Sequence, residues 1–197
     1  MDSRFITLQK FYHKFWPDIS DEQIQIIADT VTMKTFKKGE LLLKPDEVCD
    51  WIGIIKTGIV RYFTVSEGKE HVGQIYFAEQ VVTDYSSYFT QKPARIYMDA
   101  VKDTEVAVFN KKELDKLIEK DPIYLKVMFD YLSLIYISNF ERTISLLLDS
   151  AEARYLKLLA TRPEVVQQVP LYMVASYLGI TPEALSRVRN KIAHTGA

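Results

Sequence analysis

The segment from Val169 to Ile192, VPLYMVASYLGITPEALSRVRNKI, carries the strongest structural signal in the chain. Its two apolar-periodic stretches meet at Gly179, a residue type that tolerates the positive φ of a sharp turn. Ala175, four residues earlier, is small enough to let two helices cross closely. Thr181 is a suitable N-cap for the second helix, and Pro182 suits its first position, where no amide donor is needed. The pattern predicts a helix-turn-helix.

The second helix of this pair carries a polar face that fits the major groove of DNA. Glutamate accepts a hydrogen bond from cytosine N4, and arginine forks onto guanine O6 and N7. We predict that Arg187 and Glu183 read bases with help from Ser186, while Arg189 and Lys191 contact phosphate or orient the helix. The candidate DNA-binding residues are Thr181, Glu183, Ser186, Arg187, Arg189, Asn190 and Lys191. The alternative is an ordinary helical hairpin with a solvated face.

The chain as a whole is nearly neutral, but its C-terminal part carries an excess of positive charge. Lys+Arg 25 against Asp+Glu 26 give a formal net charge of −1, so any nucleic-acid surface must be confined to one region. From Arg154 onward there are six basic residues and only two acidic ones. This excess supports phosphate contact by the same C-terminal part.

The residue types that metal and redox sites need are scarce. The single Cys49 excludes an intrachain disulfide, a Cys₄ zinc site and an iron–sulfur cluster. His13, His71 and His194 are too far apart for the His-x-His cluster of a cupin-type enzyme. No nucleophile motif, phosphate loop or acid pair is present. We therefore expect no enzyme activity, no metal and no cofactor.

The start of the chain lacks the basic-then-apolar layout of a signal peptide, and no stretch of about 18 apolar residues occurs. A cytoplasmic protein without a membrane partner is the expectation.

The middle of the chain has a different pattern. Between Thr35 and Phe109, short runs of Leu, Ile, Val, Tyr and Phe alternate with glycine and proline, which is typical of an antiparallel sandwich or small barrel. Ser66 to Lys69 has the composition of a hairpin turn. The predicted fold is therefore α+β, with a strand-rich part over residues 1–120, a long helix over 121–149 and a helical part over 150–197.

The long helix carries an apolar seam with a spacing near 3.5 residues, which lets a helix face another along its length. The seam consists of Leu125, Phe129, Leu132, Tyr136, Asn139 and Thr143. Two readings stay open: dimerisation through this seam, or docking of the helix on its own sandwich.

Nearly the whole chain resembles the Crp/Fnr transcription regulators. In the sensor part the resemblance rests on Phe36–Glu40, on Ile54–Arg61 with its glycine hairpin, and on Asp99–Val106. In the C-terminal part, Glu183 and Arg187 stand with Ser186 where the family has its base-reading residues. The resemblance implies a jelly-roll cyclic-nucleotide-type sensor domain, a homodimer formed through the long helix, and binding to near-palindromic double-stranded DNA in a bacterial cytoplasm. RNA polymerase is a further candidate partner.

The sequence departs from the phosphate cassette of relatives that bind cyclic AMP, which is Gly-Glu-Leu followed by an Arg-Ser pair. Here the corresponding stretches are Val82–Tyr85 and Lys92–Ile96. The first lacks the glycine and has Asp84 in place of the longer glutamate. We expect no response to cyclic AMP and an unidentified small-molecule effector, if any. The candidate effector pocket comprises Asp84, Tyr85, Arg95, Tyr97, Ser138 and Asn139. Other sensing chemistry lacks support, since His71 is an isolated candidate haem ligand.

A second departure lies after the recognition helix, where only Ala193–Ala197 follow, so the strand wing common in the family is expected to be short or absent. The function predicted from sequence is a homodimeric, sequence-specific DNA-binding regulator of Crp/Fnr type. The alternative is a ligand-binding or protein-interaction module of the same fold that does not bind DNA.

Overall fold

The computed structural model of the chain describes residues 2–195. The segment in which the wing is expected to be short or absent ends with Gly196 and Ala197, which lie outside the described residues. The helices are α1 (Ser3–Phe15), α2 (Asp21–Thr30), α3 (Tyr85–Thr90), α4 (Lys111–Lys120), α5 (Pro122–Leu148), α6 (Ala151–Thr161), α7 (Pro163–Gln168), α8 (Leu171–Tyr177) and α9 (Pro182–Thr195). The strands are β1 (Thr32–Phe36), β2 (Leu41–Leu43), β3 (Trp51–Thr57), β4 (Val60–Ser66), β5 (Lys69–Tyr76), β6 (Val81–Val82), β7 (Tyr97–Ala100) and β8 (Thr104–Asn110).

The chain forms two compact units. The first consists of residues up to 63 together with 75–129, and the second of residues 64–74 together with those from 130 onward. The first unit therefore holds most of the strands and α1 to α4. The second holds the tip of the β4–β5 hairpin, most of α5, and α6 to α9.

The strands form two four-stranded sheets with the orders β1-β8-β3-β6 and β2-β7-β4-β5. The described pairings of β8 with β1 and β3, of β6 with β3, and of β7 with β2 and β4 are antiparallel. Neighbours in space are thus distant in sequence, as in a jelly roll. The α+β fold with a β-sandwich that the sequence predicts is confirmed.

The sandwich core consists mostly of small and β-branched side chains. Its buried members are Leu43, Cys49, Ile55, Val60, Val82, Ala94, Met98, Val106 and Val108. Burying each large aliphatic side chain contributes about 1.5–3 kcal/mol. Cys49 is fully buried, and its thiol donates to the carbonyl oxygen of Trp51 at 3.3 Å. The only cysteine of the chain is therefore a core residue.

The β4–β5 hairpin turns where the sequence predicts. β4 ends at Ser66 and β5 begins at Lys69. The two residues between them, Glu67 (φ 53°) and Gly68 (φ 73°), both have positive φ, as a two-residue type I′ turn requires.

The N-terminal helices are delimited by their caps. Asp2 accepts a hydrogen bond from the backbone N–H of Arg4 at the start of α1. Ser20 and Gln23 form a capping box at the start of α2, so two otherwise unsatisfied amides are paired. The two helices are separated by residues 16–20, which include Pro17.

The long helix α5 has 27 residues. Among residues 2–195, no helix combines the length and apolarity needed to cross a bilayer. The buried residues of α5 in the first unit are Tyr124 and Val127.

The second unit has its own core. Tyr155, Leu158, Val165, Val174 and Leu185, contributed by α6 to α9, are buried.

The hairpin tip is tied to this unit through the Ser176 hydroxyl. It accepts from the N–H of Val72 at 2.9 Å and donates to the carbonyl of Glu70 at 3.2 Å. Residues 64–74 are thereby fixed to α8.

Candidate nucleic-acid interface

The turn between α8 and α9 is built around Gly179. Gly179 has φ 69°, a left-handed conformation that glycine adopts without steric cost. The N–H of Ile180 donates to the carbonyl of Ala175 at 3.0 Å, which closes the end of α8 in a Schellman-like manner. Ala175 is fully buried, as close helix crossing requires. The predicted pair of short helices is present with the predicted turn residue.

Thr181 sets the start of α9. Its hydroxyl accepts from the N–H of Ala184 at 3.2 Å, and Pro182 follows as the first helical residue. The N–H of Glu183 itself, the Thr181 hydroxyl and, to a lesser degree, the charge of Arg187 lower the pKa of the Glu183 carboxyl from its ordinary value. Glu183 is therefore a carboxylate at neutral pH and serves as a hydrogen-bond acceptor.

The outer face of α9 is open to solvent. All seven predicted DNA-binding residues (Thr181, Glu183, Ser186, Arg187, Arg189, Asn190 and Lys191) are exposed, whereas Leu185 between them is buried. Within residues 2–195, the side chains of Ser186, Arg187 and Arg189 have no described hydrogen bond or ion pair. Their donors are available for an external partner.

Lys191 differs from its neighbours on this face. Its ammonium forms an ion pair with Glu152 of α6 at 2.5 Å, although the lysine side chain is 65% exposed. Sequence spacing gives no sign of this pairing, since the two residues are 39 positions apart. Contact with a phosphate group would have to compete with Glu152.

Two of the six basic residues counted from Arg154 onward point into the second unit. Arg154 donates to the carbonyls of Leu178 and Asp149, at 3.0 and 2.6 Å. Arg162 donates to Gln74 and to the Tyr177 hydroxyl, at 2.9 and 3.2 Å. The local positive charge available on the surface is therefore smaller than the sequence count suggests.

The predicted seam of α5 remains largely uncovered within the chain. Tyr136 is 72% exposed and Phe129 is 67% exposed. Large apolar residues with at least one third of their surface exposed continue along the helix, namely Leu125, Leu134, Ile137, Phe140, Ile144, Leu146, Leu147 and Leu148. Exposed apolar side chains in this number along one helix are typical of a protein–protein interface.

In the first unit, the residues predicted for an effector pocket have mixed environments. Asp84 is buried and caps α3 by accepting from the N–H of Ser87 at 3.2 Å. Tyr85, the first residue of α3, stacks on Phe89 with ring centroids 6.4 Å apart. Tyr97 stacks on Phe63 at 5.1 Å.

Arg95, a further candidate for the effector pocket, is exposed, and its side chain has no described partner in residues 2–195. The two remaining candidates, Ser138 and Asn139, are exposed residues of α5 and belong to the second unit. The carbonyl of Asn139 accepts from the Thr143 hydroxyl at 2.9 Å.

A buried ion pair that sequence reasoning missed lies between β4 and β7. Arg61 and Asp99 are directly opposite in the strand register, and the guanidinium binds both carboxylate oxygens at 2.8 and 2.9 Å. The guanidinium carbon also lies 4.1 Å from the centre of the Phe63 ring. Only the strand register could have revealed this pairing, because the residues are 38 positions apart.

No group of three or more His, Cys, Asp or Glu within the described part of the chain is arranged to hold a metal ion.

Comparison with known proteins places these features in context. Residues 33–121 match the family model described as "Cyclic nucleotide-binding domain". No curated protein matches the chain in sequence. Among solved structures, FixK2 from Bradyrhizobium japonicum is similar with a TM-score of 0.73 at 20% identity, over 84% of this chain and 86% of that one.

Two further solved structures are similar over most of their length. The c-di-GMP-responsive global regulator CLP of Xanthomonas campestris has a TM-score of 0.71 at 15% identity, over 90% of this chain and 93% of that one. A protein from Eubacterium rectale, described as a transcriptional regulator of the Crp/Fnr family, has a TM-score of 0.69 at 16% identity, over 94% and 88%. At these identities the likeness shows that the fold is shared.

Proposed function

We propose that this protein is a homodimeric, sequence-specific DNA-binding transcription regulator of Crp/Fnr type. The observation that carries the proposal is the outer face of α9, where Glu183, Ser186 and Arg187 are exposed next to a buried Leu185. An apolar outer face would instead suit a protein partner. The similarity of the fold to solved transcription regulators supports the same conclusion.

Each side chain of α9 has a role set by its chemistry. Arg187 forks onto a guanine and Glu183 accepts from a cytosine, with Ser186 assisting. Thr181 and Asn190 flank these readers at the start and in the last part of the helix. Arg189 and Lys191 contact phosphates, which positions the helix without reading sequence.

Dimerisation through α5 supplies the second reading helix. The apolar seam of α5 is largely exposed within the described chain, as at Tyr136, and a second copy of α5 would bury it. Two recognition helices then enter successive major grooves roughly 34 Å apart. RNA polymerase is a further partner in this proposal.

The sensor domain is proposed to act without cyclic AMP. In the stretch that corresponds to the Gly-Glu-Leu of relatives that bind cyclic AMP, Asp84 caps α3. In the stretch that corresponds to their Arg-Ser pair, Ala94 and Arg95 replace the two residues, and Arg95 is exposed. The match to the cyclic nucleotide-binding domain is compatible with a different effector in this domain.

Duplex binding tests the proposal directly. Fluorescence anisotropy would be measured with a random duplex of about 30 base pairs, long enough for two half-sites one turn apart. We expect binding at low salt that weakens steeply as salt is added, because phosphate contact releases counterions. Failure to bind random duplex at low ionic strength would contradict DNA binding and leave the protein-interaction module as the better reading.

The oligomeric state is tested separately by sedimentation. Tyr136→Glu places a charge in the seam and should weaken the dimer about 30-fold or more, as loss of an interface hot spot does. Tyr172→Glu is the matched control, because Tyr172 is also an exposed tyrosine but lies on α8. A wild-type monomer, or equal dimer affinity of both variants, would show that α5 is not the interface.

A further inference from the structure

A basic cleft lies within the second unit, apart from the outer face of α9. It encloses about 190 Å³ and is walled by α5, α6, the end of α8 and Gln74 of β5. Its charged lining residues are Arg142, Arg154, Lys157 and Arg162, against Glu141 as the one carboxylate of the lining. Four cations thus converge on this small volume with one carboxylate in the lining; Arg162 also pairs with Glu164 outside the lining, at 3.7 Å.

Two of these guanidiniums lack an acidic partner in the described chain. Arg142 donates to the carbonyl of Tyr177 at 2.6 Å and stacks on its ring, and Arg154 donates only to main-chain carbonyls. A guanidinium has five N–H donors, so each retains donors that these bonds do not use. Both side chains are half-buried, so water compensates their charge incompletely.

Lys157 adds a free cation to the rim of the cleft. It is exposed, and within residues 2–195 its ammonium has no described hydrogen bond or ion pair. Helix C-termini supply only about half an elementary charge each, so the carbonyls that hold Arg142 and Arg154 balance them in part. An anion placed between the three would complete the compensation.

The shape and charge of the cleft favour a phosphoryl group. Arginine forks match the oxygens of phosphate, and a phosphate dianion carries more charge for several cations to share than a carboxylate. The volume is below the roughly 300–1,000 Å³ of sites for drug-sized ligands. The space therefore suits inorganic phosphate or a small phosphate monoester.

We infer that the basic cleft is a binding site for a small phosphoryl anion, and that its occupancy biases DNA binding. The link is direct, because Arg142 and Arg154 hold the carbonyls of Tyr177 and Leu178, which immediately precede Gly179 in the α8–α9 turn. An anion that attracts these guanidiniums changes the strength of their hydrogen bonds to the two carbonyls, and therefore how firmly the α8–α9 turn is held. The binding site stands by itself; only its effect on DNA rests on the proposed function.

Calorimetric titration with inorganic phosphate, at ionic strength held constant with chloride and without DNA, tests the site. We expect saturable binding of one phosphate per chain. Lys157→Gln should weaken it about 10-fold or more, the usual effect of losing a charge-assisted hydrogen bond. Lys157→Arg should retain binding. Lys112→Gln, which removes an exposed lysine of α4, is the matched control and should bind as wild type does.

A second arm separates this site from the DNA face and identifies the source of the phosphoryl group. Arg187→Ala should leave phosphate affinity unchanged, because Arg187 is outside the cleft. Glycerol 3-phosphate in place of phosphate distinguishes a monoester ligand from the free ion, and tighter binding of either supports the site. Absence of phosphoryl binding by the wild type, equal binding by Lys157→Gln, or loss of binding in Arg187→Ala would each overturn it.

The coupling is measured by repeating duplex anisotropy with saturating phosphate. Wild-type affinity should change about 5-fold or more, a typical coupling between sites, while Lys157→Gln should respond little. Equal responses of the two proteins would overturn the coupling. If the protein binds phosphate but no duplex, the proposed DNA function fails and the site itself stands.

Discussion

The outer face of α9 and the ion pair between β4 and β7 both rely on arginine, but they use it in opposite ways. Arg187 is exposed with no described side-chain partner, whereas Arg61 is 4% exposed and forked onto Asp99. A buried guanidinium must be paired within the protein, because a lone buried charge is costly. An exposed one keeps its donors for a ligand. The contrast separates charges that hold the fold from charges that can bind DNA.

The largest effect is expected where the charge is buried. Asp99→Ala removes the carboxylate to which the Arg61 guanidinium donates two hydrogen bonds. The loss should lower the free energy of unfolding by about 3–5 kcal/mol, because the guanidinium stays buried without its partner. Urea denaturation measures the loss. Glu119→Ala, at an exposed carboxylate of α4, should change stability by no more than about 0.5 kcal/mol. If the two variants lost equally little free energy of unfolding, the Arg61–Asp99 pair would contribute no more to stability than a surface charge does.

Arg187→Ala, in contrast to Asp99→Ala, should leave the free energy of unfolding unchanged and should weaken DNA binding. We expect a loss of about 1–3 kcal/mol in affinity for the specific site and a relaxed preference at one base pair per half-site, measured by anisotropy with single-base operator variants. Arg95→Ala removes an exposed arginine from the first unit and should leave DNA affinity intact in the absence of an effector. Retention of both affinity and base preference in Arg187→Ala would remove this residue from the reading set.

The turn that presents α9 provides a smaller and mixed effect. Gly179→Ala forces a side chain into the left-handed region at a cost of about 1–2 kcal/mol, and the new Cβ would lie 3.3 Å from Cδ2 of Leu146. Gly68→Ala is the matched control, since its φ is 73° and nothing lies within 4 Å of the added Cβ.

Both glycine variants should lose similar thermal stability, but only Gly179→Ala should also lose DNA affinity. Equal DNA affinity of the two variants would indicate that the turn does not position α9 for binding.

Lys191→Ala should have the smallest effect. It should weaken binding to all DNA sequences similarly, and it should reduce the slope of log affinity against log salt concentration by about one. Because Glu152 competes for the same ammonium, Glu152→Gln should raise non-specific affinity. A sequence-selective loss in Lys191→Ala would assign this lysine to base reading instead.

Much of the fold was predictable because it depends on local patterns. The positive φ at Gly179, the cap at Thr181 and the hairpin turn at Glu67–Gly68 each follow from the preference of one or two residues. The long helix α5 and its apolar seam follow from periodicity, which left open whether the seam packs on the sandwich of the same chain. The exposure of Arg187 and Glu183 follows from their helical spacing relative to the buried Leu185.

The partners of polar residues were not predictable in the same way. Asp84, expected in an effector pocket, caps α3. Glu152 pairs with Lys191 across α6 and α9, and Arg162 reaches the Tyr177 hydroxyl. Hydrogen bonds of this kind depend on how whole elements pack, and one residue of shift in register or rotation would replace every partner.

Local patterns along the chain account for most of the helices and strands, for the sharp turns and for the polar face of α9, because backbone preferences and apolar periodicity act over a few neighbouring residues. The pairing of Arg61 with Asp99, and the inward turn of Arg142 and Arg154 that lines a basic cleft next to the α8–α9 turn, appear only in the packed molecule. These pairings join residues that are far apart along the chain, so their energies appear only after the sheets and helices have packed.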